Sequence, residues 1–326
     1  MKILVEKNIP YIKGLLEPWA QVSYMAAGDI DAAAVRDVDA LLVRTRTRCD
    51  EALLAGSKVQ FIGTATIGTD HIDLDYCRRS GIAVYNAPGC NAPAVAQWVH
   101  ATIGYWMEQQ GMTDASQLRL GIVGVGHVGS IVARWARQLG FHVVLNDPPL
   151  GLTGNIEDCD IITYHTPLAR DGEYPTWHLC NELLLERAQR CRLILNASRG
   201  AVCDNDALLR WRGDVALDCW EDEPSISAEL LHKAFVATPH IAGYSAQGKQ
   251  RGTAMVVQAL NEHFSFNAPV NMPQAPLKGA ERVTWASVKS SYNPLLETQA
   301  LKACPKDFEL LRNNYNLRQE TLDAVD

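Results

Sequence analysis

Three residues of the second half of the chain stand just beyond apolar runs: Arg199 after LILNAS, Glu223 after DVALDCW and His240 after FVATP. If those runs are strands of a doubly wound parallel sheet, their carboxyl ends border one ligand crevice. An Arg, a Glu and a His meeting there suit the oxidation of a 2-hydroxy acid. A guanidinium holds a carboxylate through two parallel hydrogen bonds and polarises the neighbouring C–O group. An imidazole takes the hydroxyl proton. A carboxylate on the other ring nitrogen fixes the tautomer and stabilises the imidazolium. Each residue also has an ordinary reading on its own: a structural histidine at a strand end, a loop charge in EDEP, a surface salt-bridge arginine.

A second cluster is LGIVGVGHVGS, with Gly124-x-Gly126-x-x-Gly129. Gly124 permits a tight turn, Gly126 lets backbone approach a pyrophosphate, and Gly129 lets helix and strand pack closely, with the helix N-terminus facing the phosphates. The next strand ends in Asp147, whose carboxylate accepts both ribose hydroxyls and repels a 2′-phosphate, which favours NAD over NADP. His127 and Val128 belong to the same loop, His127 reading as a surface residue rather than a ligand. A third feature is VRTRTRCD (43–50), with Arg44, Arg46 and Arg48 at alternate positions. In extended backbone they share a face, either as a solvated basic edge or as a seat for an anion. The strand is expected to give way to a loop near Thr45, where that periodicity ends.

These residues need elements to hold them. KILV (2–5), ALLV (40–43), FIGT (61–64) and IAVY (82–85) read as buried strands, with helical patterns between them. A second series reads LGIVG (120–124), FHVVLND (141–147), DIITYH (160–165), RLILNAS (192–198), DVALD (214–218) and AFVATP (234–239). This alternation predicts an α/β chain with two doubly wound parallel sheets. Long helical patterns at 92–110 and about 245–264 read as connections between the two domains. NAPVNMPQAP (267–276) reads as a linker, followed by a mostly polar tail.

Composition sets the bounds. The chain has 326 residues, 47% hydrophobic and 21% charged, enough for two domains and a small third. A net charge of −7 argues against nucleic acid as the main partner. No apolar run reaches a membrane span, about 18 residues. Nine scattered cysteines without C-x-x-C suit a reducing cytoplasm and predict no metal site.

Taken together, the glycine motif, NASRG, DCWEDEP and PHIAGY resemble the D-isomer-specific 2-hydroxyacid dehydrogenase family. Within it, GTATIGTDHID (63–73), APGCNAPAVAQWV (87–99), DPP (147–149), HTPLARDGEYPTWHL (165–179), NASRGAVCDNDALL (196–209) and HIAGYSAQGKQRGT (240–253) are similar to the branch of vitamin B6 synthesis that acts on a phosphorylated four-carbon acid. The resemblance covers residues 1–266 closely. Beyond them, FELLRNNYNLRQE (308–320) resembles part of a C-terminal dimerisation domain, in a shorter version than usual.

The resemblance implies a substrate-binding lid domain of residues 1–92 with 242–268, an NAD-binding Rossmann domain of 93–241, and a reduced dimerisation segment of 269–326. It makes Arg199, Glu223 and His240 catalytic. It gives cofactor contacts to Asp147, Thr166, Ala197, Ser198, Arg199, Asp218 and Gly243, to which the glycine loop adds Gly124, Gly126, His127, Val128 and Gly129. It gives substrate contacts to Thr45, Thr66 and Tyr244, to which the basic run adds Arg44 and Arg46. Thr45 stands where the family usually has Ser, and either residue supplies a hydroxyl. The expected activity is NAD-dependent oxidation of 4-phospho-D-erythronate at C2 by a cytoplasmic homodimer with neither nucleic acid nor membrane as partner. The alternatives are another dehydrogenase of the class, such as one for 3-phosphoglycerate, glyoxylate or D-lactate, or an NAD-binding corepressor-like protein on the same scaffold.

Overall fold

The computed structural model describes residues 1–273 and 283–320. In chain order the strands are β1 (Lys2–Glu6), β2 (Gln21–Met25), β3 (Ala40–Val43), β4 (Phe61–Thr64), β5 (Ala83–Tyr85), β6 (Arg119–Val123), β7 (His142–Asp147), β8 (Leu152–Thr153), β9 (Ile161–Tyr164), β10 (Leu193–Asn196), β11 (Asp214–Leu217) and β12 (Val236–Ala237). The helices are α1 (Ala32–Val35), α2 (Glu51–Leu54), α3 (Leu74–Arg79), α4 (Ala92–Gln109), α5 (His127–Gln138), α6 (Glu182–Arg187), α7 (Asn205–Arg210), α8 (Ala228–Lys233), α9 (Ala246–Phe264), α10 (Trp285–Ser291), α11 (Pro294–Ala303) and α12 (Phe308–Asn313).

Two compact units result. The first is Met1–Asn91 with the segment beginning at Ala246; the second is Ala92–Ser245 with the C-terminal part of the chain. The first unit holds a parallel sheet of order β2-β1-β3-β4-β5. Its inner strands β1, β3 and β4 carry buried apolar runs because both faces are covered, as parallel sheets require. Side chains alternate between two cores: Leu4, Leu41, Val43 and Ile62 face one, and Ile3, Val5, Leu42 and Phe61 face the other. Helix α9 covers the second face with Val256, Val257 and Leu260. It lies so close that a Cβ on Gly63 would stand 2.7 Å from Val256 Cγ1.

The second unit holds a seven-stranded sheet of order β12-β11-β10-β9-β6-β7-β8. Its pairings are parallel except β7–β8, a short antiparallel edge that the sequence pattern did not indicate. The alternation again separates two cores, with Leu193 and Leu195 of β10 on one side and Ile194 on the other. Helix α4 lies along the first of these and buries most of its length, including the polar His100 and Gln97. Burial pushes the His100 ring down to about 4, so it is neutral there, and its Nδ1 is 2.9 Å from the Ala96 carbonyl.

The C-terminal residues, which read from sequence as a mostly polar tail, pack onto the second unit. Residues 283–320 lack enough apolar side chains for a core of their own, and they complete the second unit's cores instead. Val283, Val288 and Tyr292 join one, Leu301 and Phe308 the other. The unit boundaries fall at 91/92 and 245/246, where 92/93 and 241/242 were expected. Residues 274–282 and 321–326 of the expected linker and dimerisation segment lie outside the described residues. Among the described residues no helix is long and apolar enough to cross a membrane.

Arg318 fastens this C-terminal stretch. Its guanidinium donates to the carbonyls of Ala94 (2.9 Å), Ile241 (3.0 Å), Tyr244 (3.1 Å) and Ala242, and to Gln97 Oε1 (2.9 Å). It also lies 4.3 Å from the centre of the Tyr292 ring. Ser245 Oγ donates to Glu320 Oε1 at 2.6 Å, and Ser245 and Arg318 form an isolated parallel bridge. Arg318→Ala leaves these buried acceptors unpaired, so it should cost the second unit about 3 kcal/mol. The expected reading is a fall of about 6–12 °C in its thermal midpoint; an unchanged midpoint would show the latch to be dispensable.

Candidate active site

Asn196, the last residue of β10, builds the turn that presents Arg199. It is fully buried, its Oδ1 accepts from the Ser198 amide (3.0 Å) and hydroxyl (2.8 Å), and its Nδ2 donates to the Arg199 carbonyl at 2.8 Å. Gly200 follows because nothing larger fits: a Cβ there would lie 1.9 Å from the Trp220 carbonyl oxygen. Ser198 is itself buried (8% exposed), with Ala197 packed against the core before it.

Glu223 and His240 meet in space although 17 residues apart in sequence. His240 Nδ1 is 2.8 Å from Glu223 Oε2, and Glu223 Oε1 accepts from the Trp220 amide at 2.9 Å. An ionised carboxylate only accepts, so Nδ1 carries the hydrogen and Nε2 is left as the basic nitrogen. Burial pushes the Glu223 carboxyl up, but the His240 hydrogen bond and charge, the Trp220 amide and the Arg312 charge outweigh it and hold the group below its usual range. His240 adopts φ +55°, the left-handed region that a β-branched or bulky residue rarely enters. Strain of this kind persists only where the surroundings over-determine it.

The surroundings here are dominated by Asp218. Its carboxylate is 1% exposed and accepts from the Thr238 hydroxyl (2.6 Å) and the amides of Ile241 (2.7 Å) and Ala242 (3.0 Å). Burial raises its pKa despite these donors and the nearby His240. All three donors belong to the His240 loop, so Asp218 organises that loop; the sequence had suggested only a cofactor contact. Cys219 lies beside it, its Sγ within 4.8 Å of the ligand atoms of Glu223 and His240. Burial, then the charges of Asp218 and Glu223, push this thiol well up, so it stays neutral.

A cleft of about 310 Å³ opens onto this arrangement, lined by Arg199, Glu223 and His240 together with Arg170, Trp177 and Glu221. Sequence reasoning missed the last three. Trp177 stacks on His178 at 3.8 Å, Arg170 lies 5.5 Å from the Trp177 ring centre, and His178 Nε2 is 3.0 Å from Glu221 Oε1. This second His–Glu pair props the 165–179 loop. Its only sequence signal was the motif HTPLARDGEYPTWHL.

The glycine loop follows β6 and opens α5. Gly124 has φ +85°, and a Cβ on Gly129 would lie 2.0 Å from the Gly124 carbonyl oxygen. Gly126 has open space around its Cβ position, and no side chain caps the helix that it starts. His127 and Val128 form the first turn of α5. Asp147 ends β7 and accepts from the Val125 amide at 2.6 Å, tying the loop to that strand. Thr166 lies against Gly124, its Cγ2 2.9 Å from a Cβ built there, and its hydroxyl is buried without a partner among the described residues. Gly243 and Tyr244 follow His240 in the loop that Arg318 holds.

In the first unit, the basic run leaves β3 at Val43 and enters a turn, so the three arginines do not share a strand face. The Arg44 amide donates to the buried Glu6 (2.8 Å), and its Nη1 donates to the Asn8 carbonyl (3.1 Å). Arg48 is solvated and paired with Asp50 at 2.7 Å. Thr45, Arg46 and Arg48 line a cleft of about 460 Å³ with Asp50, His71 and Asp73. Thr66 is not among the lining residues; its hydroxyl is 2.7 Å from that of Thr64, which lies 3.2 Å from His71 Nε2.

Residues 3–272 match the family described as D-isomer specific 2-hydroxyacid dehydrogenase, catalytic domain. Among curated proteins, the chain is 44% identical to an erythronate-4-phosphate dehydrogenase of Bacteroides fragilis, over 98% of this chain and 97% of that one. It is 36% identical to one of Escherichia coli, over 98% and 92%. Among solved structures it is similar to an NAD+-bound 3-phosphoglycerate dehydrogenase of Entamoeba histolytica (TM-score 0.67, 23% identity, 84% of this chain and 98% of that one). It is likewise similar to a D-lactate dehydrogenase of Aquifex aeolicus complexed with NAD and lactic acid (TM-score 0.65, 21% identity, 81% and 96%).

Two outcomes test this geometry. In Glu223→Gln the imidazolium loses its anionic partner, so the acid limb of the kcat/KM profile for alcohol oxidation should move to lower pH, with kcat down about 100-fold; a limb that stays in place would break the pairing. The depressed Glu223 carboxyl also contributes stability above the ordinary value of 4.5 that is lost as pH falls below it, and the variant should lack this part of the acid dependence. Gly200→Ala should displace the Arg199 turn and lower kcat/KM by at least about 100-fold, and near-native activity would mean that the turn yields without moving Arg199.

Proposed function

The chain belongs to the D-isomer specific 2-hydroxyacid dehydrogenase family, and on that premise we propose that it oxidises 4-phospho-D-erythronate at C2, with NAD as acceptor, to 2-oxo-3-hydroxy-4-phosphobutanoate in pyridoxal 5′-phosphate synthesis. The observation that carries the reading is the His240–Glu223 pair at 2.8 Å beside Arg199 in one cleft. The substrate identity is supported by the near-full-length similarity to proteins named erythronate-4-phosphate dehydrogenase.

The glycine loop fits a dinucleotide. Gly126 leaves an open cradle, the α5 N-terminus has no side-chain cap, and the Thr166 hydroxyl is an orphan beside it. Backbone amides around Gly126 to Gly129 would hold the pyrophosphate and Asp147 the ribose hydroxyls. Bound there, the nicotinamide supplies the two-electron acceptor for the hydrogen leaving C2.

The chain's own residues do the rest. Arg199 holds the substrate carboxylate and polarises the C2 oxygen. His240 takes the hydroxyl proton on Nε2, its tautomer set by Glu223 on Nδ1. Glu223, already ionised, stabilises the imidazolium so formed. Thr45, Thr66, Arg44 and Arg46 of the first unit and Tyr244 of the second are assigned to the distal, phosphorylated end. The reading includes a cytoplasmic homodimer. The nine scattered cysteines without a C-x-x-C pattern support the location, and the likeness of residues 308–320 to the family's dimerisation segment supports the dimer.

A steady-state panel with NAD+ and 4-phospho-D-erythronate, 3-phospho-D-glycerate and D-lactate tests the substrate. The first should give the highest kcat/KM by at least about 100-fold. Preference for 3-phosphoglycerate, or no turnover of 4-phosphoerythronate, would sink the assignment.

A further inference from the structure

The C-terminal helix α12 brings a basic residue to this site that no strand-end pattern announces. Arg312 has a side chain only 18% exposed. It hydrogen-bonds the hydroxyl of Tyr244, four residues beyond His240. Its Nη1 lies 3.6 Å from Glu309 Oε1, one helical turn away, and its Nε is buried without a partner among the described residues. The Cys219 thiol, beside Glu223 and His240, is within electrostatic reach of both Arg199 and Arg312. Two guanidinium groups therefore converge on one site from different parts of the second unit.

The chemistry of the reaction already occupies one of them. Arg199 serves the carboxylate next to the reacting carbon. A substrate of this class carries about three negative charges, roughly two of them on the phosphate, into a protein of net charge −7. A second, largely desolvated guanidinium with an unused donor, paired with a tyrosine hydroxyl, is the chemistry that binds a phosphate. We propose that Arg312 and Tyr244 together form the phosphate clamp of this active site, which makes the C-terminal segment a specificity element of the dehydrogenase. The proposal rests on the reading above that the substrate is a phosphorylated 2-hydroxy acid.

The residues that surround Arg312 fit this role. Glu309 and Glu223 keep the guanidinium charged and oriented while no anion is bound. Tyr315 packs edge-on against Tyr244 with ring centres 6.3 Å apart, and Arg318 holds the Tyr244 carbonyl, so the clamp is fixed at both its members. A surface arginine would lack such support.

The test compares 4-phospho-D-erythronate with unphosphorylated D-erythronate in wild type, Arg312→Gln and Arg312→Lys. Arg312→Gln should lower the ratio of the two kcat/KM values on the order of 100-fold, and Arg312→Lys, which keeps the charge but loses the fork, about tenfold. Inorganic phosphite should stimulate erythronate turnover by wild type but not by Arg312→Gln. NAD affinity, read by fluorescence titration, reports an intact nucleotide site. Equal losses on both acids would make Arg312 a structural prop and overturn the proposal, as would an unchanged ratio; if Arg312→Gln does not fold, the ratio in Arg312→Lys decides in the same way. Failure of wild type to oxidise 4-phosphoerythronate would instead remove the functional reading itself.

Discussion

One buried carboxylate sets the geometry on which the site depends. Asp218 spends both oxygens on the loop that follows β12, binding the hydroxyl of Thr238 and the amides of Ile241 and Ala242. His240 sits between those anchor points, with its own amide 2.9 Å from the Asp218 carbonyl oxygen. A residue at φ +55° would relax if either anchor were loose. The arrangement is costly, because a nearly unexposed carboxylate is poorly solvated, and it is stable because three donors replace the lost water. The opposite side of the loop is held by Arg318, whose guanidinium takes up carbonyls that Asp218 cannot. An anion gathers the amides and a cation gathers the carbonyls of the same few residues, which fixes the loop from both polarities of its backbone.

Electrostatics inside the second unit follow the same economy. The acids there are assigned to separate tasks: Asp218 to the loop, Glu223 to His240, Glu221 to His178. Cys219 sits among them as a neutral spacer, its thiol kept protonated by burial and by its acidic neighbours. Positive charge lines the cleft at Arg199 and Arg170, and Arg312, more than a hundred residues beyond Arg199, acts electrostatically on Glu223 and Cys219. In a chain whose total charge is −7, attraction of an anion depends on these few cationic groups rather than on the field of the whole molecule.

How far this was legible in the sequence varies with the kind of information needed. Strands such as β3 and β10 were readable because burial on both faces leaves uninterrupted apolar runs. Strand β2, QVSYM, was not, since an edge position leaves it half solvated and mixes Gln and Ser into the run. The positions of Arg199, Glu223 and His240 followed from strand ends alone, and the structure brings them into one cleft. The role of Asp218 was visible only as a resemblance, because three hydrogen bonds to a loop twenty residues on leave no periodic trace. Arg46 and Arg48 looked like members of one strand face with Arg44, yet both line a cleft after the strand has ended, Arg48 paired there with Asp50. Arg312 and Arg318 were hidden for a related reason: the segment carrying them reads as a polar tail, and its importance lies in distant backbone that it meets only after folding.

The latch at Arg318 has a consequence for how the molecule comes into being. It closes on Ile241 from 77 residues further along the chain. At a translation rate of about 5–20 residues per second, the His240 loop is made roughly 4–15 s before the guanidinium that secures it. During that interval the second unit's strands are all present on the ribosome, but the His240 loop lacks the cation that gathers its carbonyls. Competence therefore arrives late in synthesis, and a chain that stops short of residue 318 has a nearly complete sheet with an unfinished site. Activity in this protein is a report on the completeness of the polypeptide.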